Sequence, residues 1–375
     1  MKKKSKVVLI VILLLAIIGV GGGGYVYMTY FNIPDDYVWE AEEPEGVMNP
    51  MTGKYMESLP ERAFMVSTDN VGDAIPQYGI SQADIVYEVP VEGSQSRLEA
   101  IYYSDIPKTV GPCRSVRPCI VDIAREWDAI LVHDGWSPAA REYLSTGVVA
   151  DLPAQKYGFY YRINTKSAPH NELADTKDIL KTAKSAGLYK EQDIRSFKFM
   201  NEQEMVVLNG TEEEYLAKCE EECKEKLEHP KQGYVLPDLS GITFAENKKA
   251  NEISVGYANC KSVYKYSKKK GTYTRSVNGG EYRDLNNNKK VKMSNVIVYR
   301  VSSSVTDHKG RLDIDMCAGG KAWVFTQGRV FECKWSRKNL DSPTIFTDAD
   351  GNEVKLAPGK TWINIIDGSS SFSYK

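Results

Sequence analysis

Gly111-Pro112-Cys113-Arg114-Ser115-Val116-Arg117-Pro118 runs into Ile120, Ile123, Ala124 and Trp127 at helical spacing and then into the apolar run Ala129-Ile130-Leu131-Val132. The order is turn, helix, buried strand. Pro118 suits the first helical position, where its fixed φ and missing N–H cost nothing, so Arg117 is the expected N-cap of a helix over 118–127. The run at 129–132 is bounded by Asp128 and Gly135, as a short strand buried on both faces would be. A helix N-terminus carries unpaired N–H groups and about half a unit of positive charge, so two guanidinium groups beside it form a candidate pocket for phosphate, sulfate or carboxylate.

Upstream, 63–67 reads as a strand ending at Asp69-Asn70, with further strands at 84–89 and 97–103. With the helix and 129–132 these predict a β-α-β unit. If its strands are parallel, His133 falls on the same edge as Arg114 and Arg117. Ser137 with Pro138 caps a second helix that Gly147 ends, and 175–186 reads as a third, stopped by Gly187. Thr211-Glu212-Glu213-Glu214 is a capping box opening a charged connector that ends before His229-Pro230. From Gly241 the pattern turns to strands, at 252–257, 262–266, 271–277, 295–301 and 311–316, with turn signals at Asn278-Gly279, Gln327-Gly328 and Asp350-Gly351.

The N-terminus carries Lys2, Lys3, Lys4 and Lys6, and no charged residue follows from Val7 to Pro34. That predicts a signal anchor with its N-terminus in the cytoplasm; a cleaved signal peptide is the alternative, but no small-x-small site followed by a hydrophilic start is evident. Residues 35–45 hold six acids and suit a solvated stalk. The expected fold is α+β: a mixed α/β N-terminal domain packed with a mainly antiparallel β C-terminal domain, preceded by one transmembrane helix. The expected boundaries are a cytoplasmic tail at 1–6, the anchor at 7–31, an acidic linker at 32–52, the first domain at 53–205, the connector at 206–240 and the β domain at 241–375.

A formal net charge of -2 and the absence of basic arms argue against a nucleic-acid partner. The seven cysteines are odd in number. Cys317 with Cys333, or Cys113 with Cys119, are open pairings, and free buried thiols are the alternative; no CxxC occurs and the histidines are scattered, so neither a metal nor another cofactor is expected.

Several segments together carry a resemblance. The run from Gln77 to Glu88, Glu92-Gly93 with Arg97, the 111–118 turn, His133 with Gly135 and Ser137-Pro138, and Ala168-Pro169-His170-Asn171 resemble the YerB-like family of bacterial envelope lipoproteins, built from a domain of unknown function. Lys334-Trp335, Asp350-Gly351 and Leu356-Ala357-Pro358-Gly359-Lys360-Thr361-Trp362 are similar to that family's second domain. The resemblance covers roughly 49–200 and 250–366 and implies an α+β envelope protein of Gram-positive type, with no activity attached. The chain departs from the pattern in lacking a lipid-attachment cysteine, and Cys113, Cys119 and Trp136 stand where other residues are expected.

Arg97, Arg114, Arg117 and Arg162 are the candidate ligand arginines, with Ser115, His133, His170 and Asn171 as polar partners and Glu88 and Glu92 as acids. An internal ion-pair network that uses Asp69, Asp84, Glu88 and Glu92 is the competing reading. Glu88 and Glu92 as an acid and base pair would stand about 13 Å apart along a strand, too far without a bend. Ser137 lacks a G-x-S-x-G elbow, Ser262-Val263-Tyr264-Lys265 has the letters of S-x-x-K in a strand context, the acids at 348–353 fit a turn better than a calcium loop, and Gly319-Gly320-Lys321 lacks the rest of a P-loop. The leading expectation is a single-pass protein, its bulk outside the cytoplasm, that binds an anionic envelope ligand such as a cell-wall polymer, or an envelope-assembly partner, without catalysis. An envelope hydrolase or transferase with His133 or His170 as base is the alternative. A scaffold docking through Trp323, Trp335 and Trp362 is the third reading.

Overall fold

The computed structural model describes residues 45–191, 194–201, 204–205 and 248–375. The centre is a ten-stranded mixed sheet. From one edge to the other its strands are Ile345–Thr347, Arg329–Ser336, Gly320–Thr326, Asn295–Arg300, Thr361–Ile366, Ile85–Pro90, Ser96–Tyr102, Phe64–Asp69, Ile130–His133 and Asp151–Pro153. Thr361–Ile366 sits at the join. It pairs in parallel with Asn295–Arg300 on one side and with Ile85–Pro90 on the other.

Period-two alternation sends neighbouring side chains to opposite faces. Met65, Ile85, Tyr87, Ile297, Ile363 and Ile365 enter one core, and Phe64, Val66, Val86, Val296, Val298 and Trp362 enter the other. Helix α1 (Pro118–Glu126) and helix α2 (Pro138–Ser145) cover the first face through Ile120, Ile123, Ala124, Ala140 and Leu144. The second face is covered by helix α3 (Thr176–Ser185) and by a sheet built from Gly280–Glu281, Thr272–Val277, Cys260–Ser267, Glu252–Tyr257 and Ser371–Tyr374, with Lys292–Met293 added to Thr272–Val277.

This corrects the expected fold. Instead of a mixed α/β domain packed on a separate β domain, strands from both halves of the chain form one sheet, and the described residues hold far more strand than helix. The physical reason is pairing at a distance: a strand buried on both faces, such as Thr361–Ile366, does not reveal its neighbours in its own pattern. The β-α-β unit also differs in detail. Ile130–His133 runs parallel to Phe64–Asp69, with Ser96–Tyr102 on the far, antiparallel side of that strand. The expected transmembrane helix at 7–31 and the charged connector at 206–240 lie outside the described residues, and among the described residues no helix is long and apolar enough to cross a membrane.

Local signals match the structure closely. Arg117 is the N-cap with Pro118 at the first position of α1, and the Ser137 hydroxyl accepts from the Ala140 N–H at 3.2 Å. Asn278 and Gln327 adopt φ of +50°, each followed by a glycine at positive φ, as hairpin turns of this kind need. Cys113, Cys119, Cys260, Cys317 and Cys333 are free thiols, so neither proposed pairing forms; Cys219 and Cys223 lie outside the described residues. Ser262 is buried and Lys265 exposed on opposite faces of one strand, which removes the S-x-x-K reading. Trp335 and Trp362 are buried, and Trp323 packs against Phe372 with ring centroids 4.7 Å apart at a tilt of 51°, so these tryptophans pack within the molecule.

Candidate functional site

The arginine turn is strapped across the carboxyl end of Phe64–Asp69. Arg114 N donates to Ser67 O at 2.8 Å, Asp69 N to Pro112 O at 2.8 Å, and Cys113 N to Glu172 O at 2.6 Å. Asp134 N then donates to Arg114 O at 3.1 Å and Val116 N to Gly135 O at 3.1 Å, so the loop after Ile130–His133 closes over the turn. Gly111 makes this crossing possible: at φ +124° a β-carbon would stand 2.9 Å from Cys113 N and 3.0 Å from Glu172 O.

The candidate residues divide into two groups. Arg117 is buried and forks onto Glu92, with Nε to Oε2 at 2.9 Å and a second bond from Nη2. Burial by itself would push the Glu92 carboxyl up, yet the hydrogen bonds and charge of Arg117 hold it below its usual range. Arg97, also buried, donates to Ser115 O, and burial together with the neighbouring Arg117 charge pushes it down to about 10. Glu99, whose carboxyl burial pushes well up, accepts from Ser67 Oγ at 3.2 Å. His133 is fully buried, with Nδ1 2.8 Å from Gly135 O and Nε2 3.2 Å from Asp151, so neither ring nitrogen is open to a ligand. Glu88 is buried against Arg275 at 3.0 Å and is held also by Asn70 and Ser96. Each of these is committed to an internal partner, and Glu88 and Glu92 face different arginines, which rules out an acid and base pair.

The second group forms a polar shelf. Arg114 Nε lies 3.0 Å and His170 Nδ1 2.6 Å from the same oxygen of Asp69. Next in the chain, Asn171 accepts from Arg162 Nη1 at 2.9 Å and donates to Ile163 O at 2.8 Å. Arg162, 46 % exposed at its side chain, reaches Glu172 at 3.3 Å and Asp134 at 3.6 Å. The Tyr160–Arg162 and Glu172–Asp175 strands place Arg162 and Glu172 opposite each other. Of the residues singled out by sequence, the structure thus brings together Arg114, Arg162, His170 and Asn171, and leaves Arg97, Arg117, His133 and Glu88 in the interior.

Asp134 and Glu172 were missed by the sequence reading, although each sits beside a residue it named. Glu172 Oε2 is buried without a hydrogen-bond partner. Burial first, then the hydrogen bond and charge of Asp134, raise the Glu172 carboxyl to about 7 against the opposing pull of Arg162, favouring its proton. Because the folded chain binds this proton more tightly than the unfolded one, the stability it contributes is present below the ordinary carboxylate range and is lost as pH rises through about 7. Glu172→Gln keeps a donor toward Asp134 without the titration. Its urea midpoint should change less than that of the native chain between about pH 5 and about pH 8, and equal slopes would show that Glu172 does not hold the proton.

Beyond the shelf, Trp136 meets His133 edge-on at 5.8 Å and carries the Arg141 guanidinium at 5.6 Å. It lines a cavity of about 530 Å³ together with Pro138, Arg141, Glu142, Ser145 and Arg311. Among the described residues no group of His, Cys, Asp and Glu is arranged to hold a metal ion.

The chain belongs to a family of proteins of unknown function: residues 51–189 match the N-terminal domain and 253–363 the C-terminal domain of the protein of unknown function DUF3048. It is 30% identical over 321 residues to the "Putative lipoprotein YerB" of Bacillus subtilis (strain 168), covering 84% of this chain and 85% of that protein. The crystal structure of YerB from Bacillus subtilis superposes with a TM-score of 0.70 at 29% identity, over 87% of this chain and 99% of that one. The resemblance read from the motifs is to this same family.

Proposed function

We propose that this is an envelope-associated protein whose polar shelf holds an acid-bearing saccharide of the cell wall. The envelope association rests on the likeness to a protein described as a lipoprotein. One observation carries the ligand reading: Arg162 stands half exposed over Asn171, Glu172 and Asp134, while Arg117 of the turn is buried and forked onto Glu92. Arginine forks take a carboxylate or phosphate, and the neighbouring Asp134, Glu172 and Asn171 accept or donate to hydroxyls, so the mixed set suits a polyol or sugar with one negative group better than a bare anion.

Titration calorimetry of the full chain against glycerol-phosphate oligomers and muropeptides tests it. Arg162→Ala should weaken the bound ligand about tenfold or more, as expected for a charge-assisted hydrogen bond. No heat with either ligand overturns the reading. A second reading, an envelope hydrolase or transferase, has one observation in its favour: His170 turns Nδ1 toward Asp69 and leaves Nε2 without a partner among the described residues, the posture of a general base. Failure of the chain to release fragments from such polymers at neutral pH would remove it.

A further inference from the structure

The charge of -2 for the whole chain conceals a strong local asymmetry. Residues 248–293 contain twelve lysines and arginines against three acids, a net +9. They build most of the outer sheet, whose inner face holds Tyr264, Tyr273 and the buried Arg275. Alternation therefore turns Lys261 and Lys265 outward, and the register places Lys265 opposite Thr274 and Thr274 opposite Lys292 on the same face. The tip of the hairpin adds Lys268, Lys269 and Lys270, all exposed. Glu252 and Glu281 answer Lys265 and Lys290, but Lys249, Lys261, Lys268, Lys269, Lys270, Lys289 and Lys292 have no carboxylate partner among the described residues.

We propose that this face docks on the anionic headgroups of a phospholipid bilayer. The proposal rests on the envelope association above but not on the polar shelf. The free cations are all lysines, point charges without the arginine fork that reads single phosphates, and their outward neighbours on the sheet are Val263, Ser254, Thr274, Ser276 and Ser373 in place of the aromatic platforms that nucleic acid stacks on. Together with Lys265, which Glu252 answers, the outward lysines are spread over two dimensions, about 13 Å along a strand between Lys261 and Lys265 and about 10 Å across strands between Lys265 and Lys292, where a linear polymer would call for a groove. Lysines near an anionic leaflet are attracted within about a Debye length, so contact is electrostatic and salt-sensitive.

The test is cosedimentation of the full chain with phosphatidylcholine vesicles and with vesicles containing phosphatidylglycerol, compared with the variant Lys268→Glu, Lys269→Glu, Lys270→Glu. The apolar 7–31 segment is common to both chains, so the readout is the preference for phosphatidylglycerol over phosphatidylcholine. The native chain should show that preference, losing it at about 0.5 M NaCl, and the triple variant should lower it roughly tenfold or more with an unchanged circular dichroism spectrum. Equal retention on both vesicles, an unchanged preference in the variant, or capture by soluble glycerol-phosphate polymer without any preference for phosphatidylglycerol overturns the proposal. Arg162→Ala leaves the vesicle preference unchanged, which separates this surface from the shelf.

Discussion

Replacing Arg275 by methionine lowers the free energy of unfolding by about 3–5 kcal/mol, because it strands the Glu88 carboxylate in the interior. Both side chains are fully buried and 3.0 Å apart. Arg275 also donates to Ser262 Oγ at 2.8 Å, and its guanidinium lies 4.4 Å from the Trp362 ring and 4.5 Å from the Tyr282 ring. Burial opposes its charge, and Glu88 more than offsets that, keeping the guanidinium firmly protonated. The pair ties the outer sheet to the central one. Adding Glu88→Gln to Arg275→Met removes the stranded charge and should recover much of the loss. Urea unfolding of the two variants decides it: a single variant within about 1 kcal/mol of the native chain would show that the pair does not hold the layers together.

Trp362→Ala should cost about 3–5 kcal/mol, the range for removing a fully buried tryptophan. Trp362 lies opposite Val86 on one neighbouring strand and Val296 on the other, with Tyr264 and Tyr282 at 6.3 and 6.5 Å. Its indole N–H is buried without a hydrogen-bond partner. Trp362→Phe sheds that unpaired donor along with some volume, so it should cost far less than alanine. Because Arg275 rests on the same ring, Trp362→Ala and Arg275→Met should not add when combined. Calorimetric unfolding of the two Trp362 variants, of Arg275→Met and of the double variant measures this, and a small loss for alanine would mean the core closes over the gap.

The helix after Pro118, the Ser137 cap and the strand spacing around Asn278-Gly279 were legible because each depends on a few adjacent residues. Arg275 also left a signal that went unread: it shares strand parity with Tyr273 and Val277, the inward side. Asp134 and Glu172 left none, since a carboxylate beside a histidine or an asparagine looks the same whether or not another acid approaches it in space. The arginine turn crosses a strand end, but Arg117 within it and Arg97 on the strand Ser96–Tyr102 are occupied internally.

The amino-acid order by itself determined the types of element, their caps and turns, the family, and the stretch where charge gathers. Tertiary structure decided the rest: that Thr361–Ile366 joins both halves in one sheet, that Arg117, Glu88 and His133 are committed within the core, and that Arg114 and His170 meet on Asp69 while Arg162 reaches Glu172 and Asp134. The reason is that periodicity records which face of an element is apolar. The partner that covers that face, or neutralises a charge on it, is chosen by contacts far apart in the chain, as between Glu88 and Arg275.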